Sequence, residues 1–185
     1  AGCSFCPAVY HGKRRAENFK SQQIIGLDFD NGVPFHIIQQ RAKYYHLKML
    51  FAYKTFSHTA EHERFRVVFA LQHKITDSFT AKSIVSIFMK IFENCDEACK
   101  DSARLFFGGK GLLHLASKPH EISLGEIILA FTAYMFDKYG SKHYTRELQK
   151  FYIANRIRFE KNHPIADHGS FIPETSPQPV RSHAS

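Results

Sequence analysis

The chain has 185 residues, 44% of them hydrophobic, with 18 Phe, 8 Tyr and no Trp, enough for one compact domain with a real core, or one and a small appendage. Lys and Arg outnumber Asp and Glu by 25 to 17, a net charge of +8 that favours a polyanionic partner through steering and counterion release. No apolar run reaches bilayer length and no signal peptide is visible, so no membrane partner is expected, and the four cysteines read as thiols of a reducing, cytoplasmic compartment.

The opening, residues 1–23, is polar and basic and reads as a short strand or loop. The chain starts Ala-Gly-Cys rather than with Met, which reads as a domain cut from a larger protein. Next comes IIGLDFDNG, residues 24–32. Its apolar residues predict a buried strand, in which Asp28 and Asp30 project to one side and Leu27 and Phe29 to the other. A strand running into an Asn-Gly turn explains Asp30. It explains Asp28, deeper in the apolar run, less well; a divalent cation held by both carboxylates is the competing explanation.

Pro34 then opens a helix through VPFHIIQQRAKYYHLK. MLFAYKTFSHT and RFRVVFAL predict an antiparallel hairpin around the charged AEHE. Thr76 or Asp77 caps a helix, SFTAKSIVSIFMKIFEN. A polar connection, CDEACKDSA, leads to RLFFGGKG and LLHLA, two short strands around a glycine-rich turn. Ser123 caps LGEIILAFTAYMFDKYG, which Gly140 ends; its apolar residues occupy most of the circumference. A basic helix follows, HYTRELQKFYIANRIRF, with Arg146, Lys150, Arg156 and Arg158 either following a template strand or simply solvated. This order predicts an α+β fold: a mostly antiparallel sheet with helices packed on it, RRM-like or palm-like, plus C-terminal helices. The expected organisation is a core over 1–118, a helical part over 119–161 packed on it, and a flexible tail over 162–185.

Polar residues that a pure core would not choose mark the candidate site. Strand alternation through KTFSHT places Lys54, Phe56 and His58 on one face and Thr55 and Ser57 on the other, a surface suited to phosphate oxygens or a solvated edge. Arg64 and Arg66 share a face and would lie near that row. Their mutual repulsion asks for an anion, either a triphosphate or the nearby Glu61 and Glu63. The connection supplies Asp96 and Asp101, then Arg104 and Lys110, and a third carboxylate would complete a two-metal site. Gly108 and Gly109 let backbone approach a ligand, or make a tight turn. Cys3-x-x-Cys6 with His11, and Cys95 with Cys99, give a structural zinc alternative that is weaker than burial of the thiols as small apolar groups.

Taken in order, these stretches resemble the catalytic core of the archaeo-eukaryotic primase superfamily, the primase-polymerases of plasmids, phages and CRISPR-linked loci. The resemblance spans residues 10–118 and rests on Leu27-Asp28-Phe29-Asp30, on Ser57-His58 and on Cys95-Asp96 followed by Arg104 in ARLFFGG. In this chain Ser57 directly precedes His58, where the family places its small residue two positions before. The resemblance implies a nucleotidyltransferase that makes or extends primers on single-stranded DNA from nucleoside triphosphates. Asp28, Asp30 and Asp96 would be its catalytic ligands for two Mg²⁺ or Mn²⁺ ions. Lys54, Ser57, His58, Arg64, Arg66, Arg104 and Lys110 would bind nucleotide, and Asp96 is favoured over Asp101 as third ligand. The competing expectations are a two-metal nuclease or cyclase-like palm enzyme, and a non-catalytic RRM-like single-strand binder.

Overall fold

The computed structural model describes residues 3–157; the expected tail over 162–185 and Arg158 lie outside them. Eight strands and four helices follow in order: β1 (Ser4–Phe5), β2 (Ala8–Tyr10), β3 (Phe19–Phe29), α1 (Phe35–Tyr44), β4 (Phe51–Thr55), β5 (Phe65–Ile75), α2 (Ser78–Phe92), β6 (Phe106–Phe107), β7 (Gly109–Leu115), β8 (Glu121–Ile122), α3 (Leu124–Tyr139) and α4 (Tyr144–Ala154). The main sheet runs β2-β3-β5-β4-β7, with every neighbour antiparallel, and short β8 joins β5 in parallel. A second, two-stranded ribbon pairs β1 with β6. The expected α+β fold, a mostly antiparallel sheet packed with helices, is the one observed.

Alternation along the two long central strands builds the core. Ile25, Leu27 and Phe29 of β3 face the same way as Phe65, Val67, Phe69 and Leu71 of β5, and all are buried. Helix α2 packs against this face, α1 and α3 pack against α2, and α4 packs against α3. Phe69 meets Phe88 and Phe92 of α2 with ring centres 5.0 Å apart in both cases, and each such fully buried ring contributes about 1.5–3 kcal/mol. Helix ends follow their local chemistry. Pro34 stands before α1, and the side chain of Asp77 accepts from the Thr80 N–H at 2.6 Å. Ser123 and Glu126 form a reciprocal capping box, and Gly140 closes α3 at φ 72°, a conformation that glycine adopts without steric cost.

The opposite face of β3 is also covered, which an alternating strand with one wet face would not need. Gly26 explains how. A Cβ there would stand 2.9 Å from the Phe106 ring, so the missing side chain lets the β1–β6 ribbon lie flat on the sheet. Phe5 stacks on Phe106 at 5.4 Å and meets Phe51 edge-on at 6.4 Å. The glycine-rich stretch is not a hairpin turn between two strands, as its composition suggests. β6 pairs with β1 and β7 pairs with β4. Gly108 sits where a Cβ would be 2.7 Å from the Cys3 carbonyl oxygen, and at Gly109 the same atom would fall 1.8 Å from the Lys54 carbonyl oxygen. These glycines admit neighbouring backbone.

Candidate metal centre

Four strand ends meet at one end of the sheet: the last residues of β3 and β4 and the first of β5 and β7. This brings Asp28 and Asp30 close to Arg64, Arg66, Lys54 and Lys110 in the weave of the sheet. Asp96 arrives by a different route. Strand β2 covers only Phe19–Gln22 of β3, so further along that edge the β3 backbone needs other partners. The segment after α2 supplies them. Glu93 and Asn94, at φ 35° and 58°, turn the chain back. The Asp96 N–H then donates to the Asp28 carbonyl at 2.8 Å, and Cys99 Sγ accepts from the Asp28 N–H at 3.3 Å.

As a result, Asp28, Asp30 and Asp96 each place a carboxylate oxygen within 4.8 Å of the others, the one such group of three or more ligating side chains among the described residues. Asp101 stays outside it and caps its own turn, accepting from the Ala103 N–H at 2.9 Å. Cys3 is exposed, Cys6 Sγ reaches the Ser102 carbonyl at 3.4 Å, and neither joins His11, Cys95 or Cys99 in a ligand set. Burial pushes the Cys95 thiol up to about 12 and the Cys99 thiol up to about 11, so both are protonated at neutral pH, Cys99 within the core and Cys95 half-buried against it.

The three carboxylates differ in environment. Asp28 is 1% exposed. Its Oδ2 accepts from Arg104 Nη2 at 2.7 Å and Arg66 Nη2 at 3.1 Å, while Oδ1 is buried with no partner. Burial pushes its carboxyl above the ordinary range, against the pull of Arg66; the Asp30 charge adds to the rise and Arg104 opposes it. Both arginines lose hydration too, yet Arg66 is held above its ordinary value by Asp28 and Arg104 by Asp96 and Asp28. The two guanidinium groups favour the charged form of this carboxylate, against its burial. Asp96 Oδ1 caps the following 3-10 turn through the Ala98 N–H at 3.0 Å, and Oδ2 meets Arg104 Nη1 at 2.7 Å. The Ala98 N–H bond and the Arg104 pair hold its carboxyl below the usual range. Asp30 is exposed, and its carboxylate has no partner among the described residues.

The donor set fits a hard divalent cation. All three ligands are carboxylates, the chemistry such ions prefer. An orphaned buried carboxylate oxygen costs about 1–3 kcal/mol or more unless something binds it.

The structure rearranges the expected basic row. Strand β4 ends at Thr55, so alternation does not extend to His58. Residues 56–58 turn instead, with the His58 N–H donating to the Thr55 carbonyl at 3.2 Å. His58 is buried, and its Nδ1 lies 3.1 Å from both the N–H and the carbonyl oxygen of Arg64. Lys110 Nζ donates to the His58 carbonyl at 2.5 Å. Ser57 Oγ lies 3.3 Å from Thr55 Oγ1. Lys54 pairs with Phe65 and therefore points to the sheet face opposite Asp28, whereas Arg66 pairs with Asp28 on one side and Tyr53 on the other. Lys54 and Arg66 are thus not neighbours on one surface.

Glu63 does not neutralise the arginines either; its Oε2 accepts from the Phe35 N–H at 2.9 Å, at the start of α1. The anion that Arg66 needs is Asp28. Arg66 also donates to the Phe107 carbonyl and lies against the Tyr53 and Phe106 rings at 6.0 and 5.7 Å. Arg64 has no ion pair among the described residues, and its Nε is buried without a partner. Sequence reading missed the Asp28–Arg66 pair and the Phe106 platform. The pairing of β3 with β5 would have revealed the first, since Asp28 and Arg66 then fall opposite one another.

The fold and the site together define an α+β domain with a carboxylate cluster set in basic surroundings at one end of an antiparallel sheet. The chain belongs to the VapE N-terminal domain family, whose sequence pattern matches residues 3–109. That span contains all three carboxylates and both arginines on Asp28. No curated protein and no solved structure matches the chain. Among the described residues no helix is long and apolar enough to cross a membrane.

Proposed function

We propose that this chain carries out metal-dependent nucleotidyl transfer of the primase-polymerase kind, adding nucleotides from triphosphates to a 3′-hydroxyl on a single-stranded DNA template. The observation that carries the reading is the meeting of Asp28, Asp30 and Asp96 from two distant segments, with a buried Asp28 oxygen still lacking a partner. Membership of the VapE N-terminal domain family, which is associated with phages and plasmids and linked to primase-like replication proteins, supports the same direction.

Asp28, Asp30 and Asp96 would hold Mg²⁺ or Mn²⁺. A cation bound there supplies a lowered pKa for the attacking hydroxyl and counter-charge for the pyrophosphate that leaves. The protein's own part is positioning and charge neutralisation. Arg66, fixed in the central strand, orients Asp28. Arg64 and Lys110 stand at the same sheet end with donors to offer phosphate oxygens, and His58 lies beside them. Lys54, on the other face, is placed to reach a template or nucleotide only around the strand end.

One observation favours a second reading. Two guanidinium groups already neutralise Asp28, as they would in a non-catalytic single-strand binder with a structural ion-pair cluster. Primer extension separates the readings. Wild-type protein with Mn²⁺, nucleoside triphosphates and a primed single-stranded template should lengthen the primer, and Asp28→Asn with Asp30→Asn should abolish this with the fold retained. Template binding without extension would favour the binder, and strand shortening would favour a nuclease.

A further inference from the structure

The two arginines on Asp28 are held in different ways. Arg66 projects from the middle of the sheet, donates to Asp28 and the Phe107 carbonyl, and is flanked by two aromatic rings. Arg104 lies on the irregular segment between the 3-10 turn Glu97–Lys100 and β6. Its side chain is 17% exposed, its guanidinium lies over the Phe106 ring at 5.5 Å, and among the described residues its guanidinium hydrogen bonds go to carboxylates alone. Nη2 is 2.7 Å from Asp28 Oδ2 and Nη1 is 2.7 Å from Asp96 Oδ2. The planar fork therefore bridges two carboxylates from different segments, as a shared cation would.

Charge balance points the same way. Three carboxylates face two guanidinium groups, one negative charge in excess. A divalent cation added with Arg104 in place would make the cluster net positive. With Arg104 withdrawn, the cation and Arg66 balance the three carboxylates. We propose that Arg104 is the resting cation of this centre, and that a divalent metal binds by displacing its guanidinium from Asp28 and Asp96. The inference rests on the metal reading above. It makes Arg104 a competitor of the metal before it is a partner of phosphate, and it casts Arg66 as the arginine that stays.

The test is the Mn²⁺ affinity of the full chain without nucleotide, measured by electron paramagnetic resonance of the free ion. Wild type is compared with Arg104→Lys, Arg104→Gln and the Asp28→Asn, Asp30→Asn double variant. Removing two charge-assisted hydrogen bonds that compete with the metal should tighten binding in Arg104→Gln by at least about tenfold. Arg104→Lys is the sharper variant, because it keeps the charge but has no fork to bridge both carboxylates; it should also bind more tightly than wild type. In wild type, Mg²⁺ should shift the Arg104 Nε–H signal in an arginine-detected NMR spectrum and leave that of Arg66 in place. Equal or weaker affinity in both Arg104 variants, with binding abolished in the double aspartate variant, overturns the proposal and leaves the metal reading standing. If wild type and both Arg104 variants bind no Mn²⁺ at millimolar concentration, both fall. Should Arg104→Gln not fold, Arg104→Lys and the wild-type spectrum decide, and an Arg104 signal unmoved by saturating Mg²⁺ overturns the proposal.

Discussion

Replacing Arg66 by methionine tests how Asp28 is held in the sheet. Methionine keeps most of the buried volume and the contact with Phe106, and removes the charge. Asp28 is 1% exposed and Arg66's side chain 12% exposed, so solvent screens the pair little. Breaking a buried pair costs about 3–5 kcal/mol when the remaining charge has no other partner. Here Arg104 remains at 2.7 Å, so the expected loss is lower, about 2–3 kcal/mol, near that of a hydrogen bond to a charged group. For a domain of this size that corresponds to a fall in Tm on the order of 4–12 °C.

The deficit should depend on pH, with a definite sign. Burial raises the folded-state pKa of Asp28, so its contribution to stability is present below the unfolded value of about 3.9 and is lost as pH rises through the folded value. Removing Arg66 deepens that loss, so the deficit is largest at neutral pH and shrinks in acid. Urea unfolding followed by circular dichroism, on Arg66→Met, Asp28→Asn and the double variant, gives the coupling directly. An Arg66→Met deficit below about 0.5 kcal/mol, or no coupling between the two sites, would refute the claim that Arg66 holds Asp28.

Gly109→Ala drives a Cβ to 1.8 Å from the Lys54 carbonyl oxygen, whereas Gly111→Ala meets nothing within 4 Å. The first should cost about 3 kcal/mol in urea unfolding and the second no more than about 1 kcal/mol; equal effects would contradict the close approach of β4 and β7. Burial that lifts the Cys95 and Cys99 thiols to about 12 and about 11 leaves little reactive thiolate at pH 8. Exposed Cys3 should therefore take up iodoacetamide first, with Cys95 and Cys99 accelerating only as pH rises towards those values. Equal labelling of all three at pH 8, read by peptide mass spectrometry, would contradict it.

Much of this arrangement is legible in the linear chain. The caps at Asp77 and Ser123, the stop at Gly140 and the apolar faces of β3 and α2 are local signals, and local signals survive folding. The carboxylate pair at Asp28 and Asp30 is legible for the same reason: strand alternation puts both on one side. In the linear chain only the family resemblance separates Asp96 from Asp101; in the fold it is the Asp96 N–H that pairs with the bare edge of β3 at Asp28. What stays hidden is set by partners distant in sequence. Nothing near Arg66 announces that residue 28 lies opposite it, and Gly26 has a purpose only once Phe106 lies on it. The misplaced row through Lys54 and His58 has a simple cause. Alternation holds only as far as Thr55, where the strand gives way to a turn and His58 folds back onto the Arg64 backbone.

The central claim is that Asp28, Asp30 and Asp96 hold a catalytic cation. Its most direct test is a crystal soaked with Mn²⁺ and a non-hydrolysable nucleoside triphosphate, with anomalous scattering used to locate the metal. The account predicts a manganese peak ligated by these three carboxylates, with triphosphate oxygens completing its coordination. A peak elsewhere, or none at saturating Mn²⁺ with Arg66 and Arg104 still closed on Asp28, would contradict it.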